Sequence, residues 1–410
     1  MSSFSIPLSG LVASQNQLQA VSNNLANLDT VGYKDQNVSF SDLFAQASAS
    51  SGAGNPIQQG LGVATAQTTS DFTSGTPSAT GVPSNMALSG SGLFVTQTTN
   101  GTQAFTRAGD FTTNTSGQLV TPAGDLVLGY GAVNGVVQTT GALQPLQVGI
   151  GGTIPATATT SFQISANLNA SSPTGTTFAS STPIYDSLGT PHELSVNYTK
   201  TGANTWSYSV NVPTADTGAA SSQIASGTLS FDSSGNLTSP TGSIALSIPS
   251  FTDAAAPMNL NWNLDDTSGN PTLTQTNLAS SSTALANGQA SGTLTSYAVG
   301  SDGTIEGTYS NGQTSALGQV AIATFTNMQG LANIGNNDLQ VTAGSGAPQI
   351  GIAGTGGRGT ITGGSIEASN VDVAAEFAKM IVAQQAYSAN AKTVTTMDQI
   401  SQTTIQMITA

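Results

Sequence analysis

Residues 22–34, Ser22-Asn23-Asn24-Leu25-Ala26-Asn27-Leu28-Asp29-Thr30-Val31-Gly32-Tyr33-Lys34, bring a helix to its end and turn the chain out of it. Upstream, between Leu8 and Leu28, the residues Leu11, Leu18, Val21, Leu25 and Leu28 fall on three- and four-residue steps, the spacing of one apolar helix stripe. Asp29-Thr30-Val31-Gly32 then supplies turn residues. The far end answers with a second helix, in which Val373, Met380, Tyr387, Val394 and Ile408 share one seven-residue register, with Phe377, Ala391 and Ile405 four places after members of it. Such a register is what a helix shows when it packs lengthwise on another. Asn370 is the expected cap, and Asp372 and Glu376 stand in the first turns, where the helix dipole favours carboxylates. At about 1.5 Å per residue the C-terminal helix is roughly 55 Å long and the N-terminal one roughly 30 Å.

Between the helices the composition changes. Charged residues make up 6% of the 410 positions, against about a quarter in an ordinary soluble chain, so Ser, Thr, Asn and Gln must solvate the surface. The net charge of −14 reflects a shortage of bases: Lys34, Arg107, Lys200, Arg358, Lys379 and Lys392 are the whole set. No basic patch is present to hold nucleic acid or an anionic membrane. Cysteine is absent, which removes disulfides, thiolate chemistry and Cys-based metal sites. Residues 1–7 show neither a positive n-region nor an apolar h-region, and no 18-residue apolar run occurs, so neither a cleaved signal peptide nor membrane insertion is expected.

The expected fold class is mixed and mainly β. It is multi-domain, with coiled-coil-like pairing of the N- and C-terminal helices and nested β domains inserted between them. Residues 1–34 and 365–410 form the helical domain. Residues 35–70 read as a connector, with a loop-like run from Ala47 to Gly62. Residues 71–147 and 284–364 form an inner β domain, and 148–283 an inserted outer one. Within the inner domain, Gly92 to Thr96, Asn100-Gly101 and Ala104 to Thr106 read as a hairpin with a type I′ turn.

Few residues suggest chemistry. His192 is the sole histidine, and with no second His or Cys it reads as structural. Asp265-Asp266 before Ser268-Gly269-Asn270 lacks the alternating ligands of a calcium loop and reads as a solvated turn. Gly351 to Gly364 has no Gly-Lys-Ser/Thr and reads as a linker. Arg107 is expected to pair with nearby Asp110. No catalytic, cofactor or metal residues are expected.

The motifs then narrow the choice. Residues 22–34, preceded by Ser9-Gly10-Leu11, closely resemble the N-terminal motif of bacterial flagellar rod and hook proteins; its positions here are Ser22, Asn23, Asn24, Ala26, Asn27, Thr30, Gly32, Tyr33 and Lys34. The segment Met380 to Lys392, including Gln384, Gln385, Ala386 and Asn390, resembles the family's C-terminal motif. Ile184-Tyr185-Asp186-Ser187-Leu188-Gly189-Thr190-Pro191-His192-Glu193-Leu194, with Trp206, resembles the outer domain of hook members, which a distal rod member lacks.

The resemblance implies a non-enzymatic subunit of a curved, flexible homopolymeric tube that carries motor torque to the filament. Its implied partners are the distal rod protein, the hook cap protein, the hook–filament junction proteins and the flagellar type III export apparatus. It also implies an extracellular location, reached without a cleaved signal. Leu11, Leu18, Val21, Leu25, Leu28, Val373, Phe377, Met380, Tyr387 and Val394 would serve helix packing within and between subunits. Both ends would be disordered in the free monomer, because isolated helices of this length are marginal in water. A distal rod subunit is the alternative within the family, and a secreted β-rich adhesin is the alternative outside it.

Overall fold

The computed structural model describes residues 4–50 and 56–409. Two helices bracket the chain, Ser5–Ala26 and Val373–Thr409, and nearly all else is strand and turn. The N-terminal helix stops at Asn27, whose N–H bonds the carbonyls of Asn23 and Asn24. The C-terminal helix is capped by Asp372, whose Oδ1 accepts the N–H groups of Ala374 and Ala375 at 2.8 and 3.1 Å. Asn370 is therefore not the cap: its side chain bonds Asp35 N and the Asp71 carbonyl instead.

The segment expected to be a connector contains a long antiparallel hairpin, Gln36–Ser50 paired with Pro56–Ser70. Its register slips at Ser39/Phe40 and again at Leu43/Phe44. Each slip moves the apolar positions to the other face, which hid the strand period from a sequence reading. Part of the Ala47 to Gly62 run lies outside the described residues. The hairpin leans on the N-terminal helix, where Asn16 bonds Thr65 and Ser9 Oγ accepts the Val63 N–H.

The chain divides into two compact units. The first comprises residues 1–149, 296–307 and 314–410. In it, Leu93–Gln97 pairs with Gln103–Thr106, Leu126–Val133 and Thr314–Thr324. Successive side chains of a strand point to opposite faces. Phe94, Val320 and Ile322 thus enter one core with Phe111, while Leu93, Val95, Ala321 and Ala323 enter another with Phe105. Both faces are covered, so the strands read as unbroken apolar runs. The Asn100-Gly101 turn differs from expectation: Gly101 alone has positive φ (+81°), and its N–H reaches the Thr98 carbonyl. Thr98 N also bonds the Thr102 carbonyl, making the longer loop with a glycine bulge.

The second unit, residues 150–295 and 308–313, is a sandwich of two five-stranded sheets. One sheet carries Thr177–Tyr185, Pro191–Gly202, Thr205–Asn211, Gln223–Phe231 and Leu237–Ser239 in order. The other is built around Ser161–Asn169, which pairs in parallel with Met258–Asn263 and Leu273–Thr276. Trp206, Trp262, Tyr198 and Phe162 are fully buried between the sheets, and Trp206 Nε1 donates to Gln275 Oε1 at 2.9 Å.

Candidate functional site

The two helices of the first unit lie side by side and antiparallel. Gly10 faces Asn390, and Asn24 meets Glu376, equal spacings taken in opposite senses along the two helices. Small side chains set the closeness. A Cβ on Gly10 would sit 2.8 Å from Asn390 Nδ2, and Ala13 and Ala383 are buried nearby in the pair. In this register Ser5 falls opposite about residue 395, so the C-terminal helix runs roughly 20 Å past it.

This seam differs from the apolar register expected of the C-terminal helix. Glu376 and Ala383 are buried and Asn390 and Met397 half-buried, a line seven residues apart that faces inward. Met380 and Val394 flank it half-buried, but Val373, Phe377 and Tyr387 are exposed, Phe377 by 51%. Ile381, Val382, Ile405, Met407 and Ile408 are exposed as well. On the N-terminal helix Val21 is buried, while Leu11, Leu18, Leu25 and Leu28 are half-buried. The helix pair thus closes on small and polar residues and leaves most of its large apolar ones uncovered.

Below the seam, the motif's polar residues form a clamp between the helices and the β structure. Asn24 is fully buried. Its Nδ2 donates to Glu376 Oε2 at 3.1 Å, to the Gln36 carbonyl at 3.0 Å, and to Asp35. Its Oδ1 accepts from Gln36 N at 3.0 Å and Tyr33 Oη at 3.2 Å. Lys379 Nζ completes the group through Glu376 Oε1 at 2.6 Å and Asn37 Oδ1 at 3.0 Å. Burial, with Asp35 and Glu376 near, pushes the Tyr33 phenol up to about 12, so it remains a hydrogen-bond donor at any working pH.

A second group centres on Glu367, which is 1% exposed. Its carboxylate receives Lys34 Nζ at 2.6 Å, Arg107 Nε at 2.5 Å and Gly75 N at 2.8 Å. Arg107 does not pair with Asp110: its other nitrogens reach the carbonyls of Gly92 and Leu88, both at 2.6 Å. Lys34 also donates to the Thr73 carbonyl at 2.7 Å. Burial depresses the Lys34 pKa against the pull of Glu367, and Arg107 adds to the depression. Two cations on one buried carboxylate tie together the N-terminal motif, the inner hairpin and the strand Ser365–Glu367. Removing one partner from such a pair costs roughly 3–5 kcal/mol, because the survivor is left charged and dry. Gly32 makes the close approach possible: its φ is +68°, and a Cβ there would lie 2.7 Å from the Arg107 backbone.

Asn23, Asn27 and Thr30 hold the intervening turn, Asn23 Nδ2 to Tyr33 Oη at 3.0 Å and Thr30 Oγ1 to Asn27 Oδ1 at 3.1 Å. Ser22, Ala26, Gln384 and Gln385 are exposed and Ala386 half-buried. Sequence reasoning placed the motif but missed Glu367 as its partner. The available signal was only that Lys34 and Arg107 are two of six basic residues in the chain.

Comparison with known proteins agrees with this architecture. Residues 6–34 match the family described as flagella basal body rod protein, residues 87–167 the flagellar hook protein FlgE/F/G D1 domain, and residues 362–407 the flagellar basal body rod FlgEFG protein C-terminal. The chain is 36% identical to the flagellar hook protein FlgE of Escherichia coli (strain K12), over 98% of this chain and 99% of that one. It is 35% identical to that of Salmonella typhimurium (99% and 100%) and 31% identical to that of Treponema pallidum (98% and 98%). The crystal structure of the Helicobacter pylori flagellar hook protein FlgE2 shares the fold, with a TM-score of 0.52 at 17% identity over 69% of this chain and 98% of that one. At these identities, spanning nearly the whole of both sequences, the chain belongs to the flagellar hook protein family.

Proposed function

We propose that the chain is the structural subunit of a flagellar hook, a homopolymeric tube that carries motor torque, and that the exposed apolar residues of its terminal helices are the polymer contacts. The observation behind this reading is the mismatch within the helix pair: small and polar residues meet each other, and Phe377, Ile381, Val382, Ile405 and Ile408 face outward. Helices in water normally hide such stripes, and neighbouring copies of the same helices are the covering that a repeating tube supplies. Val373, Tyr387 and the flanking Leu11, Leu18, Leu25 and Leu28 belong to the same contact set. No helix among the described residues is long and apolar enough to cross a membrane. The distal rod protein, the cap, the junction proteins and the type III export apparatus are the partners proposed from family membership. The reading assigns no reaction to the chain.

The test is electron microscopy of basal bodies from cells lacking the protein, complemented either with the parent or with an Ile405→Ser/Ile408→Ser variant. The null cells should show complete rods without a curved hook. The parent should restore the hook and the variant should not, although both purified monomers melt at the same temperature. Truncated rods in the null cells, or normal hooks from the variant, would refute the assignment.

A further inference from the structure

In the second unit, His192 is enclosed by three carboxylates that lie far from one another in sequence. Asp186 and His192 bracket the turn between Thr177–Tyr185 and Pro191–Gly202, Asp216 sits in the short helix Thr214–Thr217, and Asp253 lies in the loop before Met258–Asn263. His192 is 5% exposed and stacks on Phe251, ring centres 4.5 Å apart. Its Nε2 lies 3.1 Å from Asp186 Oδ2. One donor atom from each of Asp186, His192 and Asp253 can be chosen so that all lie within 4.8 Å of one another. The other ring nitrogen, Nδ1, is buried without a hydrogen bond and lies 3.3 Å from Asp216 Oδ2.

The charges do not balance. Three carboxylates face one imidazole, and Lys200, the sole Lys or Arg of this unit, is elsewhere, its Nζ on the Ala170 carbonyl and over the Trp206 ring. Asp186 Oδ1 accepts the N–H groups of Leu188 and Thr190 at 2.8 and 2.9 Å, and its Oδ2 is turned to the imidazole.

We propose that Asp186, His192 and Asp253 form a binding site for a divalent transition-metal ion, with Asp216 as the carboxylate behind the imidazole. Zinc takes nitrogen and oxygen ligands at about 2.0–2.2 Å, which places neighbouring ligand atoms roughly 3–3.5 Å apart. The Nε2 to Oδ2 spacing falls in that range. A ligating histidine commonly gives its second N–H to a carboxylate, which fixes the tautomer. Asp216 stands where that partner belongs, and Nδ1 has no other. The ion supplies the missing positive charge and joins the 186–191 turn to the 249–257 loop, which already meet where Ser187 Oγ accepts the Ala256 N–H at 2.9 Å. The inference departs from the expectation that a lone histidine holds no metal: carboxylates take the place of the missing second histidine.

Calorimetric titration of the chelator-treated full-length chain with ZnCl2 tests this. The parent should take up one ion per chain, and Asp253→Asn and His192→Gln should each weaken uptake at least tenfold. Asp253 is exposed, so its variant should keep the parent's metal-free melting temperature, which separates loss of a ligand from loss of fold. With one histidine and no cysteine in the chain, an imidazole-bound zinc can belong to no other place. No zinc uptake by the parent, or undiminished uptake in either variant, would overturn the site. Tighter binding of Ca2+ than of Zn2+ would overturn it too, since calcium prefers oxygen ligands and does not need the imidazole.

Discussion

Asp338 shows how one buried acid sets a pH dependence. It is 4% exposed; burial and the neighbouring Asp125 push its carboxyl up to about 7, from 3.8 in the open chain. Between those values the folded state binds more protons than the unfolded state, so this residue's contribution falls as pH rises from about 4 to about 7, and stays low above that. Asp338→Asn should therefore melt roughly 2–4 °C above the parent at pH 8, as one kcal/mol shifts a domain of this size, and level with it at pH 4. Calorimetry at the two pH values checks the sign; a variant less stable at pH 8 would show that the ionised carboxylate is favoured where it lies. At this scale the sequence was legible as residue identity and not as partnership. Asn24 and Lys34 stood out within their motif, but their acids, Glu376 and Glu367, lie 352 and 333 positions away. No local pattern encodes such a meeting. The Arg107 to Asp110 expectation failed for the same reason, since sequence proximity was the only distance available.

Elements with strong local signals were legible. The two helices follow from their periodicity, and the strands around Asn100-Gly101 from their turn residues, although the loop proved longer than two residues. The hairpin Gln36–Ser50 with Pro56–Ser70 was not legible, because its bulges scramble the alternation and Phe40, Leu43 and Phe44 are exposed rather than tucked under a core. The helix seam was legible only in part. Apolar spacing identified a helix that packs, but the packed line within one chain is Glu376, Ala383 and Asn390, whose small or polar side chains carry no hydrophobic signal. Gly10→Leu tests that seam: its side chain would meet Asn390 and force the helices apart. In the assembled polymer, amide exchange across residues 376–394 should then speed at least tenfold, with the second unit unchanged. Unaltered exchange would mean that the helices hold by their bases alone.

For the molecule as a whole, scarcity of charge is a matter of where the bases are spent. Of the six basic residues, Lys34, Arg107, Lys200, Arg358 and Lys379 all donate to groups of their own chain. Little positive charge remains for ion pairs between copies, so polar contacts that neighbouring copies make outside the apolar helix stripes would fall to Ser, Thr, Asn and Gln, which exchange partners and bridge through water at small cost. A bent tube that turns about its own axis requires such exchange. Complementary Lys and Asp substitutions on facing surfaces of the second unit should stiffen the hook, read as a longer persistence length in electron micrographs; unchanged bending would separate flexibility from charge. The clamp below the helices has the opposite mechanical character. Asn24, Lys34 and Glu367 cross-brace the helix pair to the sheet with short ionic and polar bonds in dry surroundings, so a shear applied to the helices enters the sheet without an intervening hinge. Compliance then has to reside away from this junction, and a twist applied to the helices passes through it as through a weld.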